Sequence, residues 1–342
     1  MTNTALATRS SIGQAANAAA AENIFSNYIM KKAANTRTRH EKELRNFSLF
    51  LSGIGYDNDG MTTPEEWNGI TFGLIEAYQR YMLKSGYSVN STNQTIYIIK
   101  AYAGLAGKAG CIKPEELYKI HEIKGFKAGE ANHIDQQRKA QGAETRIGNK
   151  KQQARNLTTG QVERLKGIDP QHPYPDTLRG KRDALIFTLF LDMGLRESEL
   201  MSLSLDSFDM DSKTLHWYRI KTNNNGHEQM SRDVIAAAAA YFAAYSPIPG
   251  QTLFTKISKG DRATGNLSMR GLLSIVQAAG KEIGIDNLSP HDLRHSMALR
   301  AYKAGIPLKS IQRRLGHSTV KTTERYIDIE ALDRYNDFDK DF

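Results

Sequence analysis

Between Lys124 and Arg155 the sequence loses its hydrophobic periodicity, and this break limits the fold more than any other feature. The stretch is polar and holds eight Lys and Arg against three Asp and Glu. Apolar residues recur at helical spacing on either side of it. A segment like this cannot lie within one continuous core, and 342 residues are enough for two domains. The expected layout is a leader at 1–21, a helical domain at 22–123, a basic linker at 124–155 and a second domain at 156–342. The leader is rich in Ala, Ser, Thr and Asn, has a single arginine and lacks an apolar h-region. It reads as disordered and not as a secretory signal. No apolar run approaches the roughly 20 residues that a membrane span needs. Cys111 is the only cysteine, which rules out an intramolecular disulfide or a cysteine metal cluster.

The first domain reads as four or five helices. Ile24, Phe25, Tyr28 and Ile29 recur at helical spacing. Thr36 to Leu51 offers Leu44, Phe47, Leu49, Phe50 and Leu51 to a core and Arg37, Arg39, Lys42 and Arg45 to the opposite face. Ile70 to Leu83 and Ser91 to Ala109 are further amphipathic helices. Asp57-Asn58-Asp59-Gly60 resembles the start of a calcium loop, but later carboxylates are out of register, so it reads as a polar turn.

The second domain opens on a capped helix start at Leu157 to Val162. Arg182 to Met193 reads as an apolar helix ended by Gly194. Leu215 to Ile220 alternates as a strand, followed by a hairpin turn at Asn223-Asn224-Asn225-Gly226. Ile235 to Tyr245, Met269 to Gly284 and Pro307 to Leu315 read as helices, and Ser289-Pro290 is a strong helix start. The fold class expected is mainly α with a small antiparallel sheet (α+β).

The net charge is +9. Through Arg155 the chain has 21 basic and 14 acidic residues, and beyond it 25 and 23. The excess therefore lies mostly in the first half, where a polyanion would be bound. Arg37, Arg39, Lys42 and Arg45, with Lys150, Lys151 and Arg155 of the linker, are the candidate phosphate contacts.

Three short boxes carry the chemistry. Gly194-Leu195-Arg196-Glu197-Ser198-Glu199-Leu200 comes first, then His291-Asp292-Leu293-Arg294-His295-Ser296, then Leu315-Gly316-His317 followed by Tyr326. A guanidinium stays charged at biological pH and presents a planar fork that matches phosphate oxygens. His291 and Arg294 are three apart, so on a helix they share one face. A tyrosine phenol titrates near 10 and needs activation before it attacks. Two arginines, two histidines and a hydroxyl make a set suited to phosphoryl transfer on a polyanion.

These boxes, in this order over about 156–329, resemble the signature of the tyrosine recombinases, the phage integrase family. The helical first half and basic linker are similar in layout to that family's core-binding domain, and the chain resembles its simple, Cre-like members. The resemblance implies a catalytic set of Arg196, Lys221, His291, Arg294, His317 and the nucleophile Tyr326. Lys221, at the end of the predicted strand, takes the place of the general acid, with Lys213 as the alternative. The sequence departs here from the usual Gly-Lys-Gly entry. Glu199 has a supporting role, and His295 is assigned to structure. The implied reaction forms a 3′-phosphotyrosine on DNA and exchanges strands through a Holliday junction, with no metal or nucleotide cofactor. Double-stranded DNA is the implied partner. A monomer in solution would assemble as a homotetramer on paired sites, in a cytoplasmic, nucleoid-associated setting. The acidic tail from 327 would dock on a neighbouring protomer. A nicking and resealing enzyme, or a non-cleaving DNA-binding protein on the same scaffold, are the alternatives.

Overall fold

A computed structural model describes residues 9–142, 156–219 and 224–324. The chain divides into two compact units, Met1–Lys150 and Lys151–Phe342. None of the described helices is long and apolar enough to cross a membrane.

The first unit is helical. Its elements are α1 (Arg9–Glu22), α2 (Ile24–Met30), α3 (Ala34–Gly53), α4 (Phe72–Lys84), α5 (Val89–Lys108), α6 (Pro114–Glu122) and α7 (Ala128–Ala140). Side-chain oxygens of Thr71 and Ser88 cap α4 and α5. An aromatic cluster fills the core. Phe25 meets Trp67 and Tyr102 edge-on, and Phe47 packs between Trp67 and Tyr78.

Three expectations change here. The leader is helical from Arg9, because an alanine-rich segment has high intrinsic helix propensity even with little to bury. Helix α7 occupies part of the expected linker. The Arg138 guanidinium donates to Tyr87 O at 2.9 Å and to Leu83 O, which ties α7 to the end of α4. Leu49, assigned to the core, is 65% exposed, whereas Leu51 is fully buried. At 3.6 residues per turn Leu49 falls between Lys42 and Arg45, on the charged side of α3.

The calcium-like turn has another explanation. The Glu66 carboxylate accepts from the backbone N–H groups of Asp59, Met61, Thr62 and Thr63 at 2.5–3.0 Å. Burial alone would raise its pKa, but these four donors outweigh it and leave it lowered. The loop is thus closed by an internal anion.

The second unit is built on α9 (Leu178–Thr188), which runs on through one π-helical turn, Leu189–Met193. Leu185, Ile186, Phe187, Leu189 and Phe190 are fully buried, so this segment is the centre of the core. Helices α8 (Thr159–Lys166), α10 (Glu197–Met201), α11 (Arg232–Tyr245), α12 (Met269–Glu282), α13 (Pro290–Lys303) and α14 (Leu308–Leu315) complete the helical set. Thr158 and Gln161 form a reciprocal capping box at α8.

Strands β1 (Phe208–Asp209), β2 (Thr214–Arg219) and β3 (Asn224–Gln229) form an antiparallel sheet, with Arg219 opposite Asn224. Asn224, Asn225 and Gly226, read as part of a turn, lie inside β3, and Asn223 lies outside the described residues. A second small sheet, β4 (Thr255–Ile257) and β5 (Ala263–Asn266), escaped the sequence reading. Its strands are three and four residues long, too short for alternation to register.

Two outcomes are expected. Leu51→Ala lowers hydrogen-exchange protection in α3 and α5 by about 2–5 kcal/mol, and Leu49→Ala changes it by less than ~0.5. Because the folded pKa of Glu66 is depressed, its contribution is present above the ordinary carboxylate range and lost as pH falls through the folded value. The stability gap between wild type and Glu66→Gln should therefore narrow on acidification below about pH 4.

Candidate active site

The first box starts where the π-helical turn ends. Gly194 turns the chain with φ +65, and a Cβ there would lie 2.0 Å from the Met297 methyl. Arg196 is the N-cap of α10, and Glu199 is its third residue. Glu199 Oε2 accepts from Arg196 N at 2.8 Å, and Oε1 accepts from Arg196 Nη1 at 2.6 Å. One carboxylate thus caps the helix and orients the guanidinium. Glu199 is 3% exposed, and its other oxygen lies 3.8 Å from Arg294 Nη1.

The second box is the start of α13. The Asp292 carboxylate accepts from Ser289 N and Ser289 Oγ, fixing the first turn. Arg294 lies one turn further in, almost wholly buried. It donates to Gly194 O and to Leu315 O, both at 2.5 Å. His291 occupies the first turn of the same helix, exposed. His295 is buried.

The third box ends α14. Gly316 adopts the left-handed conformation of a helix C-terminus, and its carbonyl accepts from Arg196 Nη2 at 3.1 Å. His317 follows. Its Nε2 is 3.3 Å from Arg294 Nη2, and its Nδ1 is 2.9 Å from Thr323 Oγ1. A guanidinium only donates, so its partner nitrogen Nε2 is the acceptor and Nδ1–H donates to Thr323.

The structure thus brings together Arg196, Glu199, Arg294 and His317 from three separate elements. Lys221, Tyr326, Lys150, Lys151 and Arg155 lie outside the described residues. Arg37, Arg39, Lys42 and Arg45 are exposed on α3 of the first unit. Lys213 precedes β2, six residues from Arg219 and so roughly 20 Å along the strand from the cluster. No group of three metal-binding side chains occurs among the described residues.

Sequence reasoning missed two features. Arg219 is 8% exposed at the end of β2, and its guanidinium reaches the end of α14. The alternation of Leu215, Trp217 and Arg219 on the inner face is the signal that pointed to it. Asp192, in the π-helical turn, accepts from Lys166 Nζ at 3.0 and 3.1 Å and from Ser231 Oγ at 2.6 Å. Its backbone carbonyl takes a bond from Arg314. This network braces the turn that leads into Arg196. The contacts join residues up to 122 positions apart, and nothing local in the sequence announces them.

A model of the phage integrase family matches residues 155–332. The chain belongs to this family, the tyrosine recombinases, which cleave and rejoin DNA strands. It is similar to the tyrosine recombinase XerC of Roseiflexus sp. (strain RS-1), with 24% identity over 87% of this chain and 84% of that protein. It is also similar to XerA of Saccharolobus solfataricus, 32% identical over 46% of this chain and 49% of that protein, about half of each. Among solved structures it resembles the XerH site-specific recombinase bound to a palindromic difH substrate in a post-cleavage complex. That match has a TM-score of 0.57 and 17% identity over 78% of this chain and 72% of the other. At that identity the likeness speaks for the fold.

Glu199 is the one described carboxylate that pairs with both box arginines. Removing one partner of a buried ion pair leaves the others uncompensated, at a cost of about 3–5 kcal/mol. Glu199→Ala should therefore lose hydrogen-exchange protection in α9 and α13 by about that amount, while the α3 and α5 helices of the first unit keep theirs.

Proposed function

We propose that the chain is a site-specific DNA recombinase in which Tyr326 is the nucleophile. The tyrosine oxygen attacks the scissile phosphate, the P–O5′ bond breaks, and a 3′-phosphotyrosyl link holds the cut strand. Lys221 protonates the leaving 5′-oxygen. His291, on the face of α13 that leads to Arg294, handles protons at the phosphate. The bond energy kept in the phosphotyrosine allows religation to a new partner strand without ATP.

One observation carries this reading. Arg196 and Arg294 are fixed by folding beside His317, oriented by Glu199 and by the carbonyls at the end of α14. Preorganised cations of this kind stabilise the charge that builds up on a pentacoordinate phosphorus, and no reorganisation is needed at the moment of reaction. Arg196 is the more open of the two, with 22% of its side chain exposed against 4% for Arg294. A phosphate therefore meets Arg196 first.

In the same reading the first unit is a DNA-binding domain. Arg37, Arg39, Lys42 and Arg45 of α3 contact phosphates, as do Lys150, Lys151 and Arg155 of the basic segment. Four protomers synapse two sites, and the tail from 327 links neighbours. The protein acts in the cytoplasm, on nucleoid DNA. Affinity falls steeply with salt because each neutralised phosphate releases counterions.

The decisive experiment uses a nicked duplex carrying inverted repeats taken from beside the gene. Wild type should form an SDS-resistant protein–DNA complex. Tyr326→Phe should form none and still bind the duplex within about threefold, because one hydroxyl adds little to a phosphate-dominated interface. A complex that persists in Tyr326→Phe sinks the nucleophile assignment. Absence of any complex with wild type favours a non-cleaving DNA-binding protein. Relaxation of a supercoiled plasmid without the repeats points to nicking and resealing.

A further inference from the structure

We infer that Arg219 is a positioning residue for strand cleavage, tying the end of strand β2, two residues before Lys221, to the end of helix α14 that holds both box arginines and His317. The inference rests on the recombinase reading above, and its subject is a residue that no motif contains.

Several independent features converge on this side chain. Arg219 Nη2 donates to Arg314 O at 3.0 Å and approaches Arg313 O at 3.4 Å. Leu315 O is taken by Arg294 and Gly316 O by Arg196. Three arginines therefore occupy four successive carbonyls, in order along the chain. The Arg219 guanidinium also lies over the Trp217 ring, 5.2 Å from its centroid. Gly316 leaves the space it fills, since a Cβ there would stand 2.8 Å from Nη1 and 2.9 Å from Cζ. Arg219 also belongs to the last described backbone pair of the β2–β3 hairpin, opposite Asn224, and precedes Lys221 by two residues.

Packing alone does not account for a cation in this place. Arg219 is almost wholly buried. Burial depresses its pKa, as does the charge of Arg196, while Glu199 and Glu228 act in the opposite sense. Apolar side chains of similar volume usually replace a buried charge without loss of stability. What an apolar residue cannot do is grip the α14 carbonyls and so lock the strand end to the helix end. Lys221 follows Arg219 by two residues in sequence, and the arginines that would hold the phosphate meet the same end of α14. By this inference the Arg219 contact fixes the strand end from which the general acid acts.

A substrate with sulfur in place of the bridging 5′-oxygen separates a positioning role from a merely structural one. In cleavage of the normal substrate, Tyr326 gives its phenol proton to His291 as its oxygen bonds to phosphorus, and the P–O5′ electron pair leaves with O5′, which takes a proton from Lys221. With sulfur in that position the P–S bond breaks and a thiolate leaves. A thiol titrates near 8.5, so that departure needs no proton donor.

The measurement is single-turnover cleavage of both nicked substrates by the full-length wild type, Arg219→Met, Arg219→Lys and Lys221→Ala. For Arg219→Met we expect duplex binding within about threefold of wild type and a fall of ~10²-fold or more on the oxygen substrate, the scale of a lost general acid. On the sulfur substrate it should cleave within about fivefold of wild type, the pattern that Lys221→Ala also gives, because thiolate departure bypasses the acid. Arg219→Lys keeps the charge but not the planar fork, and should recover only part of the oxygen rate. Equal slowing on both substrates marks a plain structural role and overturns the inference, as does an unchanged rate on both. Full recovery in Arg219→Lys overturns the fork contact with α14. If wild type forms no covalent complex on either substrate, the recombinase reading itself fails and the inference falls with it.

Discussion

The negative end of helix α14 is the point around which the second unit is organised. A helix leaves its last carbonyls without intrahelical partners, and their dipoles sum to partial negative charge. Here Arg219, Arg294 and Arg196 receive that end from a strand, a helix and a helix N-cap. Three cations that would repel one another in the open are held within one short stretch. Among the described residues, Glu199 is the carboxylate that pairs with two of them. The distances between elements remote in sequence are thus set by a few polar contacts, and the apolar core behind them serves as the rigid backing.

The polar device is fragile in a particular way. The apolar core of α9, α11 and α12 tolerates small adjustments because many weak contacts share the load. The guanidinium–carbonyl contacts do not, since each bond is directional, and those of Arg294 lie where water cannot replace them. Gly194 and Gly316 belong to this device, since each carries both a tight turn and a carbonyl that an arginine uses. The π-helical turn before Gly194 is of the same kind, being pinned by Lys166, Ser231 and Arg314 through Asp192. A local departure from regular helix near a site usually marks such a demand.

Much of this was legible in the sequence, and what was not has identifiable causes. Ser289-Pro290 and Thr158 marked helix starts because capping is a local interaction. The three boxes gave the arginines, Glu199 and His317 by type and order. Leu49 went wrong because its apolarity was weighed without its angle on the helix. Helices α1 and α7 went unread because neither shows an apolar stripe; composition supports the first and a single arginine docks the second. The β4–β5 hairpin is too short for its period to show. Arg219 lay in a strand that was recognised, and its burial and its partners some 95 residues away set it apart. Long-range polar contacts leave no pattern in a single sequence.

Helix α7 changes the mechanics of the basic segment. Thirteen residues in extended form reach roughly 43 Å, but wound as a helix they reach about 20 Å. The end of α7 is also fastened by Arg138 to the carbonyls that close α4. A strap that composition alone would describe as slack is partly wound in and anchored at one side. The first half of the basic segment is therefore an ordered element of the first unit, and its extended reach is lost.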